Sequence, residues 1–322
     1  MKTVFMGSAE FGIPALEMLL SHHEVAAVVS TPARPRGRGL KRIDSPIAEF
    51  AKSSGKLVLT PENLLDGEFI QKLKSMEPDL FVVVAFRILP EEVYSIPTFG
   101  TVNIHASLLP RFRGAAPIHR AVEAGERETG VTVFRIDEGI DTGEIIAQAN
   151  APVGELETTP QLYERLSRIG ADTLQKAMDD LANGRSAPFA QDSSAATRAP
   201  KLKRAEGHVD WNLPAQNIFN KIRAFKPFPG TYAFLDGKRI GIEWGVVYKN
   251  EEGSREGCPC CDTGRKPESQ PGTIISAQGD HIDVQCGEGV LRILKVKPEG
   301  RSAMDVRAFL LGTAIPSGTL LK

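Results

Sequence analysis

An amide and an imidazole two positions apart form the first candidate chemical pair in this sequence. Asn103 and His105 lie in the segment from Thr101 to His105, which follows a continuous apolar run from Leu80 to Ala85. If the later segment is a strand, both side chains project from one of its faces and can meet one reacting group. Asn103 could donate a hydrogen bond to a developing oxyanion, and His105 could donate one or carry a proton.

A glycine-flanked acidic turn supplies a third candidate group. Gly139-Ile140-Asp141-Thr142-Gly143 follows a predicted strand from Val131 to Ile136 and could hold the Asp141 carboxylate beside the imidazole. A carboxylate there would fix the tautomer of His105 and raise its basicity. The structural alternative is that Asn103 caps a turn and His105 is a hydrogen-bonded histidine of the core. The acidic turn favours the catalytic interpretation.

The elements that must position these groups alternate between strands and helices. Val25 to Val29 and Leu80 to Ala85 are apolar runs typical of buried strands, and Phe11 to Leu20 has helical spacing. This alternation predicts an α/β fold with a doubly wound parallel sheet. Such sheets bind ligands outside the carboxyl ends of their strands, where Asn103 and His105 would lie.

The second part of the chain has a different pattern. A long helix from Thr159 to Gly184 should close a first domain spanning residues 1–185, because residues 186–204 are rich in Ala, Ser and Pro and lack apolar periodicity. We expect this segment to be a linker. Short strands separated by turn residues then predict a small β-barrel domain over residues 205–322.

The composition limits the classes of protein to which this chain can belong. Hydrophobic residues make up 41% and charged residues 25%, with no unbroken apolar stretch long enough for a membrane helix and no signal-peptide pattern at Met1. We therefore expect a cytoplasmic protein without a membrane partner. Lys plus Arg number 39 against 40 Asp plus Glu, which argues against an overall cationic surface but leaves room for local basic patches.

Three longer motifs together resemble the methionyl-tRNA formyltransferases. They are Asn103-Ile104-His105-Ala106-Ser107-Leu108-Leu109-Pro110, Arg113-Gly114-Ala115-Ala116-Pro117-Ile118 and the acidic turn from Gly139 to Gly143. Further similarity covers nearly the whole chain, including Asp210-Trp211 and Pro227 to Gly230. The resemblance implies a Rossmann-like catalytic domain followed by an OB-like barrel that binds tRNA.

The resemblance also implies substrates and roles. The formyl donor would be 10-formyltetrahydrofolate, leaving tetrahydrofolate, and the acceptor would be the amino group of methionyl initiator tRNA. Catalytic roles would fall on Asn103, His105 and Asp141. The residues expected to bind the folate are Phe86, Arg87, Ile88, Leu89, Ser107, Leu108, Leu109, Pro110, Asp137 and Gly139. Ser107 also suits an architectural role, and Leu108 to Pro110 equally suit packing and a turn.

Two basic groups are candidate tRNA contacts. The first is a loop that in this family carries the tRNA-reading insertion, and the second lies in the predicted linker. The residues are Arg36, Arg38, Lys41 and Arg42 in the loop and Lys201, Lys203 and Arg204 in the linker. Solvated side chains remain the alternative for the linker group.

The sequence departs from the family in two places. Ala85-Phe86-Arg87-Ile88-Leu89-Pro90 stands where many members have a Tyr-Gly pair and one more residue. A polar insertion, residues 251–270, carries Cys258, Cys260 and Cys261, whose spacing is not that of a paired Cys-x-x-Cys zinc site. We therefore predict no metal. We also expect a monomer.

Three other functions are open to this chain, and the two enzyme functions among them would use the same core residues. A folate-dependent formyltransferase could act on a sugar-nucleotide amine, and a hydrolase could use water as the acceptor. A non-catalytic RNA-binding homologue is a third alternative. The basic loop favours a tRNA acceptor, and the presence of Asn103, His105 and Asp141 together argues against a binder without activity.

Overall fold

The computed structural model describes residues 1–36, 41–248 and 269–322, with only the backbone for Arg36 and Lys41. The chain forms two compact units. Unit 1 comprises Met1–Ile118, Arg127–Glu155 and Gln161–Lys201, and unit 2 comprises His119–Glu126, Leu156–Pro160 and Leu202–Lys322.

The helices and strands of the described residues follow the chain in this order. They are β1 (Lys2–Gly7), α1 (Ile13–His22), β2 (Glu24–Val29), β3 (Arg34–Arg36), β4 (Lys41–Ile43), α2 (Pro46–Ser53), β5 (Val58–Leu59), α3 (Gly67–Ser75), β6 (Leu80–Val84), α4 (Glu91–Tyr94), β7 (Thr101–His105), α5 (Pro117–Glu123), β8 (Glu128–Arg135), β9 (Ile145–Pro152), α6 (Thr159–Ala182), α7 (Ala215–Ala224), β10 (Thr231–Leu235), β11 (Lys238–Val247), β12 (Ile274–Gln278), β13 (His281–Gln285), β14 (Val290–Pro298), β15 (Met304–Asp305) and α8 (Val306–Leu310).

Unit 1 is built on a seven-stranded sheet in the order β5-β2-β1-β6-β7-β8-β9. The first five strands in that order are parallel, whereas β8 runs antiparallel to β7 and β9 antiparallel to β8. The predicted Rossmann-like α/β class is confirmed. The two antiparallel strands were not anticipated, because a short apolar run gives no information on strand direction.

Side-chain caps and close packing fix the positions of helices in this unit. Ser45 caps α2 by accepting the Ala48 N–H at 3.1 Å, and Asp66 caps α3 by accepting the Phe69 N–H at 3.0 Å. On α6, Gly170 lies so close to β7 that an added Cβ would be 3.0 Å from the side chain of Ile104. This close packing helps fix the strand that carries Asn103 and His105.

Unit 2 contains an antiparallel sheet in the order β10-β11-β14-β13-β12, with β15 paired to β14. The last residues of the chain join its edges: Lys322 exchanges backbone hydrogen bonds with Phe234 of β10, and Leu321 donates to the carbonyl of Gly272 just before β12. Ile222 of α7 and the strand residues Ile242 and Leu291 are buried in its core. The predicted C-terminal β domain is confirmed.

The predicted linker, residues 186–204, is divided between the two units. Its residues up to Lys201 belong to unit 1, where Phe189 exchanges two backbone hydrogen bonds with Ile145 of β9. Leu202 onward belongs to unit 2, as do two short segments that interrupt the predicted first domain, 119–126 and 156–160. In unit 2, for example, Thr159 Oγ1 donates to the Ala224 carbonyl at 2.8 Å.

Among the helices that the structure describes, none combines the length and the apolar character needed to cross a membrane.

Candidate active site

The candidate site lies at the carboxyl ends of β6 and β7, on the edge where open parallel sheets bind ligands. Asn103 on β7 pairs with Val83 of β6 on one side and with Phe134 of β8 on the other. Its half-buried side-chain amide makes no hydrogen bond to any other residue that the structure describes. The amide is therefore available to a ligand.

His105 is held in one orientation by the protein backbone. Its side chain is 7% exposed, and Nε2 lies 2.9 Å from the carbonyl oxygen of Phe112. Because a carbonyl can only accept, Nε2 carries a proton, and Nδ1 of the neutral ring is left as a base. We expected Asp141 to fix the tautomer, but the Phe112 carbonyl does so.

Asp141 faces the other ring nitrogen. Its Oδ2 lies 3.6 Å from Nδ1 of His105, which is an ion-pair distance rather than a hydrogen bond. The same oxygen accepts a 2.8 Å hydrogen bond from the backbone N–H of Gly114. A proton acquired at Nδ1 would thus be stabilised by an oriented carboxylate.

The turn that carries Asp141 is closed by its own residues. Asp137 Oδ1 accepts hydrogen bonds from the Gly139 N–H at 3.0 Å and from the Thr142 hydroxyl at 2.7 Å. A Cβ on Gly143 would lie 1.8 Å from the carbonyl oxygen of Arg135, so this position cannot hold a side chain without rearrangement. The glycines recognised in the sequence are required for this tight turn.

Backbone strain is concentrated around the site. Ala85 after β6, Phe112 after β7 and Asp141 after β8 all have positive φ, at 48°, 59° and 55°. Non-glycine residues rarely adopt this conformation, and it persists only where the surrounding structure enforces it. Both partners of His105, Phe112 and Asp141, are therefore held in place by their surroundings.

Sequence reasoning missed part of these surroundings. Gln191 donates from Nε2 to the carbonyls of Asp141 and Gly143 at 3.0 and 2.8 Å. Thr197 Oγ1 accepts the Phe112 N–H at 2.8 Å. Both residues lie in the segment predicted as a linker, and their side-chain hydrogen bonds leave no apolar periodicity in the sequence.

The first group of predicted folate contacts lies just after β6. Arg87 turns away toward the chain before α3, where Nη1 donates to the Glu62 carbonyl at 3.0 Å and Nη2 to the Pro61 carbonyl at 2.8 Å. Phe86 packs partly against the core and Leu89 is buried in it, whereas Ile88 is 80% exposed. Arg87 therefore fixes the path of this loop.

The second group, Ser107 to Pro110, is tied to β8 and β9. Ser107 is fully buried, and its hydroxyl donates to the Arg111 carbonyl at 2.6 Å. Leu108 covers Gly130, where an added Cβ would lie 2.5 Å from Cδ2 of the leucine. Leu109 is buried with Phe134 and Ile145. These contacts agree with the architectural roles that the sequence left open.

The predicted tRNA contacts are only partly described. Part of the basic segment expected to be a loop forms the antiparallel strand pair of β3 and β4, and Arg42 Nε donates to the Ala33 carbonyl at 3.3 Å. Arg38 lies outside the described residues, and Arg36 and Lys41 are described by backbone alone. Lys201, Lys203 and Arg204 are exposed.

Comparison with known proteins extends this description. Residues 1–178 match the formyl transferase family, and residues 201–314 match the formyl transferase C-terminal domain. A methionyl-tRNA formyltransferase of Caldanaerobacter subterraneus subsp. tengcongensis is 40% identical over 325 residues, covering 100% of both chains. The chain belongs to the methionyl-tRNA formyltransferase family. It is accordingly a formyltransferase, as the sequence motifs predicted.

Solved structures share the fold of this family member. An N-formyltransferase from Helicobacter canadensis, in complex with folinic acid and dTDP-3-aminofucose, has a TM-score of 0.63 at 19% identity, covering 91% of this chain and 98% of that one. HypX from Aquifex aeolicus, in complex with tetrahydrofolic acid, has a TM-score of 0.62 at 18% identity. That match covers 96% of this chain and 46% of HypX, so this formyltransferase spans about half of HypX's length.

Within the described ranges, no three His, Cys, Asp or Glu side chains are grouped as they would be around a metal ion. Cys258, Cys260 and Cys261, the cysteines considered for zinc, lie outside those ranges.

Proposed function

We propose that this formyltransferase moves the formyl group of 10-formyltetrahydrofolate to the free amino group of methionyl initiator tRNA. The observation that carries the proposal is the His105 and Asp141 pair, fixed by Phe112 and Gly114, in a chain 40% identical over its full length to a methionyl-tRNA formyltransferase. The folate-containing structures that share its fold support a folate donor.

The chemistry follows from what each group can donate or accept. The acceptor amine attacks the formyl carbon, which places negative charge on the formyl oxygen. The unpaired amide of Asn103 donates to this oxyanion, and a protonated His105 could add a second bond from Nδ1. Loss of one such donor typically raises the barrier by about 2.7–4 kcal/mol.

Proton transfer completes the reaction without a covalent enzyme intermediate. The attacking amine loses one proton, and N10 of the folate gains one as the bond between N10 and the formyl carbon breaks. Nδ1 of His105 accepts the amine proton, directly or through water, and Asp141 stabilises the imidazolium until the proton passes to N10. An α-amino group titrates near about 8, so part of the acceptor is already neutral at working pH.

The binding residues complete the proposal. The exposed side chain of Ile88 and the backbone of Phe86 to Leu89 and of Ser107 to Pro110 would line the folate, together with Asp137 and Gly139. The basic residues named above would contact tRNA phosphates, with Arg38 and Lys41 nearest the acceptor stem. A monomeric, cytoplasmic enzyme remains our expectation.

Formyl transfer from labelled 10-formyltetrahydrofolate tests this function. We expect wild type to label charged initiator methionyl-tRNA, His105→Ala to lose turnover, and His22→Ala, a histidine exposed on α1, to keep it. Arg38→Ala should weaken use of the tRNA. Transfer to a nucleotide-linked amino sugar or to water, with none to methionyl-tRNA, would overturn the acceptor. Binding of tRNA without any release of tetrahydrofolate would indicate a non-catalytic homologue.

A further inference from the structure

The side chain of Gln191 is saturated with hydrogen bonds to Arg113 and to the turn from Gly139 to Gly143, which we name the catalytic turn after its proposed role. Nε2 uses both of its protons, one on the Asp141 carbonyl at 3.0 Å and one on the Gly143 carbonyl at 2.8 Å. Oε1 accepts from Nε of Arg113 at 3.1 Å and from Nη2 of Arg113 at 2.7 Å. The carbonyls need donors and the guanidinium needs an acceptor, so only one orientation of the amide satisfies all four bonds.

The segment that carries Gln191 is anchored on both sides of it. Before Gln191, Phe189 N–H donates to the Ile145 carbonyl at 3.0 Å, and the reverse bond measures 2.9 Å. After it, Arg113 N–H donates to the Thr197 carbonyl at 2.9 Å, and Ala199 N–H donates to the Arg113 carbonyl at 2.6 Å. Gln191 is thus presented to the catalytic turn by fixed backbone.

Gln191 connects two loops that meet at one carboxylate. One loop contains Asp141, whose backbone φ of 55° is unfavourable for a non-glycine residue and needs external support. The other contains Arg113, and the N–H of the next residue, Gly114, donates to Oδ2 of Asp141. The Gln191 amide therefore holds the backbone of Asp141 through Nε2. Through Oε1 it holds Arg113, the residue before Gly114, whose N–H donates to the Asp141 carboxylate.

We infer that Gln191 is a positioning residue for catalysis, which keeps the Asp141 carboxylate aimed at His105. This inference rests on the proposed role of Asp141 in formyl transfer. Gln191 would touch neither substrate, so its loss should slow the chemical step while leaving substrate binding in place. A displacement of the carboxylate by about 1 Å can cost about a hundredfold in rate.

Two substitutions separate the contacts of Gln191. Gln191→Leu removes all four hydrogen bonds. Gln191→Glu keeps an acceptor for Arg113 but places oxygen against the carbonyls of Asp141 and Gly143. If the bonds to the catalytic turn are what matter, both variants should lose kcat by about 10- to 100-fold, with KM for donor and tRNA changed by less than about twofold. Gln175→Leu is the matched control, because that glutamine bonds Asp179 on α6 at 2.9 Å.

A double-mutant cycle with Asp141→Asn tests the connection. If Gln191 acts through Asp141, Gln191→Leu should cost little further turnover once Asp141→Asn is present, and the single variants should show the same altered pH–rate profile. Loss of activity in Asp141→Asn with unchanged kcat in both Gln191 variants would overturn the positioning role alone. Fully additive losses in the cycle would also overturn it. Full activity of Asp141→Asn would overturn the catalytic assignment itself.

Discussion

The backbone N–H of Gly114 donates a 2.8 Å hydrogen bond to Oδ2 of Asp141, the oxygen that faces Nδ1 of His105 at 3.6 Å. This contact joins the loop after β7 to the turn after β8. The first loop also supplies the Phe112 carbonyl that holds Nε2 of His105. His105 and Asp141, the proposed catalytic pair, are therefore both oriented by the backbone of one short segment.

Replacing Gly114 should disturb this arrangement. Gly114 has a φ of 121°, and a Cβ would lie 2.7 Å from the Ala199 carbonyl oxygen. Gly114→Ala should lose about 1–3 kcal/mol of stability and about tenfold or more in kcat. Urea unfolding and formyl-transfer kinetics measure the two effects. Gly55→Ala is the control, since its φ is 68° with nothing within 4 Å, and it should keep kcat. Equal kcat in both variants would contradict the importance of this contact.

Arg87 should matter for the folate more than for the tRNA. Arg87→Ala removes the bonds to the Pro61 and Glu62 carbonyls, which should cost about 1.5–3 kcal/mol of stability and loosen the loop. If that loop binds the folate, KM for the donor should rise while KM for methionyl-tRNA stays constant. Arg185→Ala, at an exposed arginine paired with Asp180, is the control. A change confined to tRNA use would remove Phe86 to Leu89 from the donor site.

Lys203 and Arg204 should contribute to tRNA binding through phosphate contacts. Each substitution to Ala should weaken affinity and reduce the slope of log Kd against log salt by about 0.7–0.9. Binding titrations of methionyl-tRNA between about 50 and 200 mM salt measure this slope. Lys176→Ala, at an exposed lysine of α6, should leave the slope unchanged. If both variants keep the wild-type slope, Lys203 and Arg204 do not contact tRNA phosphates.

Cys286 should be unreactive in the folded protein. Burial raises the pKa of its thiol to about 12, so only about one molecule in ten thousand would hold a thiolate at pH 8. Iodoacetamide should therefore leave Cys286 unmodified at pH 8 in native protein and modify it in urea. Mass spectrometry of the peptide containing Cys286 measures both states. Rapid alkylation without urea would contradict the buried position.

The candidate catalytic groups could be recognised in the sequence because their elements carry strong local signals. An apolar run marks β6, and Asp141 lies between Gly139 and Gly143, where an added Cβ would lie 2.0 Å from Thr142 Oγ1 and 1.8 Å from the Arg135 carbonyl oxygen. Asn103 and His105 have the spacing of two residues on one face of a strand. Family resemblance added the identity of the reaction, which periodicity alone cannot give.

The residues that hold these groups in position could not be predicted in the same way. Gln191 and Thr197 act through side-chain hydrogen bonds to residues about fifty to ninety positions earlier in the chain, and no local pattern marks such partners. The Phe112 carbonyl is equally invisible, because every residue has one. Likewise, the antiparallel direction of β8 depends on tertiary packing rather than on its own sequence.

The most direct test of this account is single-turnover formyl transfer to methionyl-tRNA at saturating 10-formyltetrahydrofolate, comparing wild type with Asp141→Asn. Asparagine can still accept the Gly114 N–H but carries no charge to stabilise an imidazolium at His105. We predict that the variant binds both substrates and transfers formyl about 10²- to 10⁴-fold more slowly than wild type. Equal rates in the two proteins would contradict a catalytic His105 and Asp141 pair.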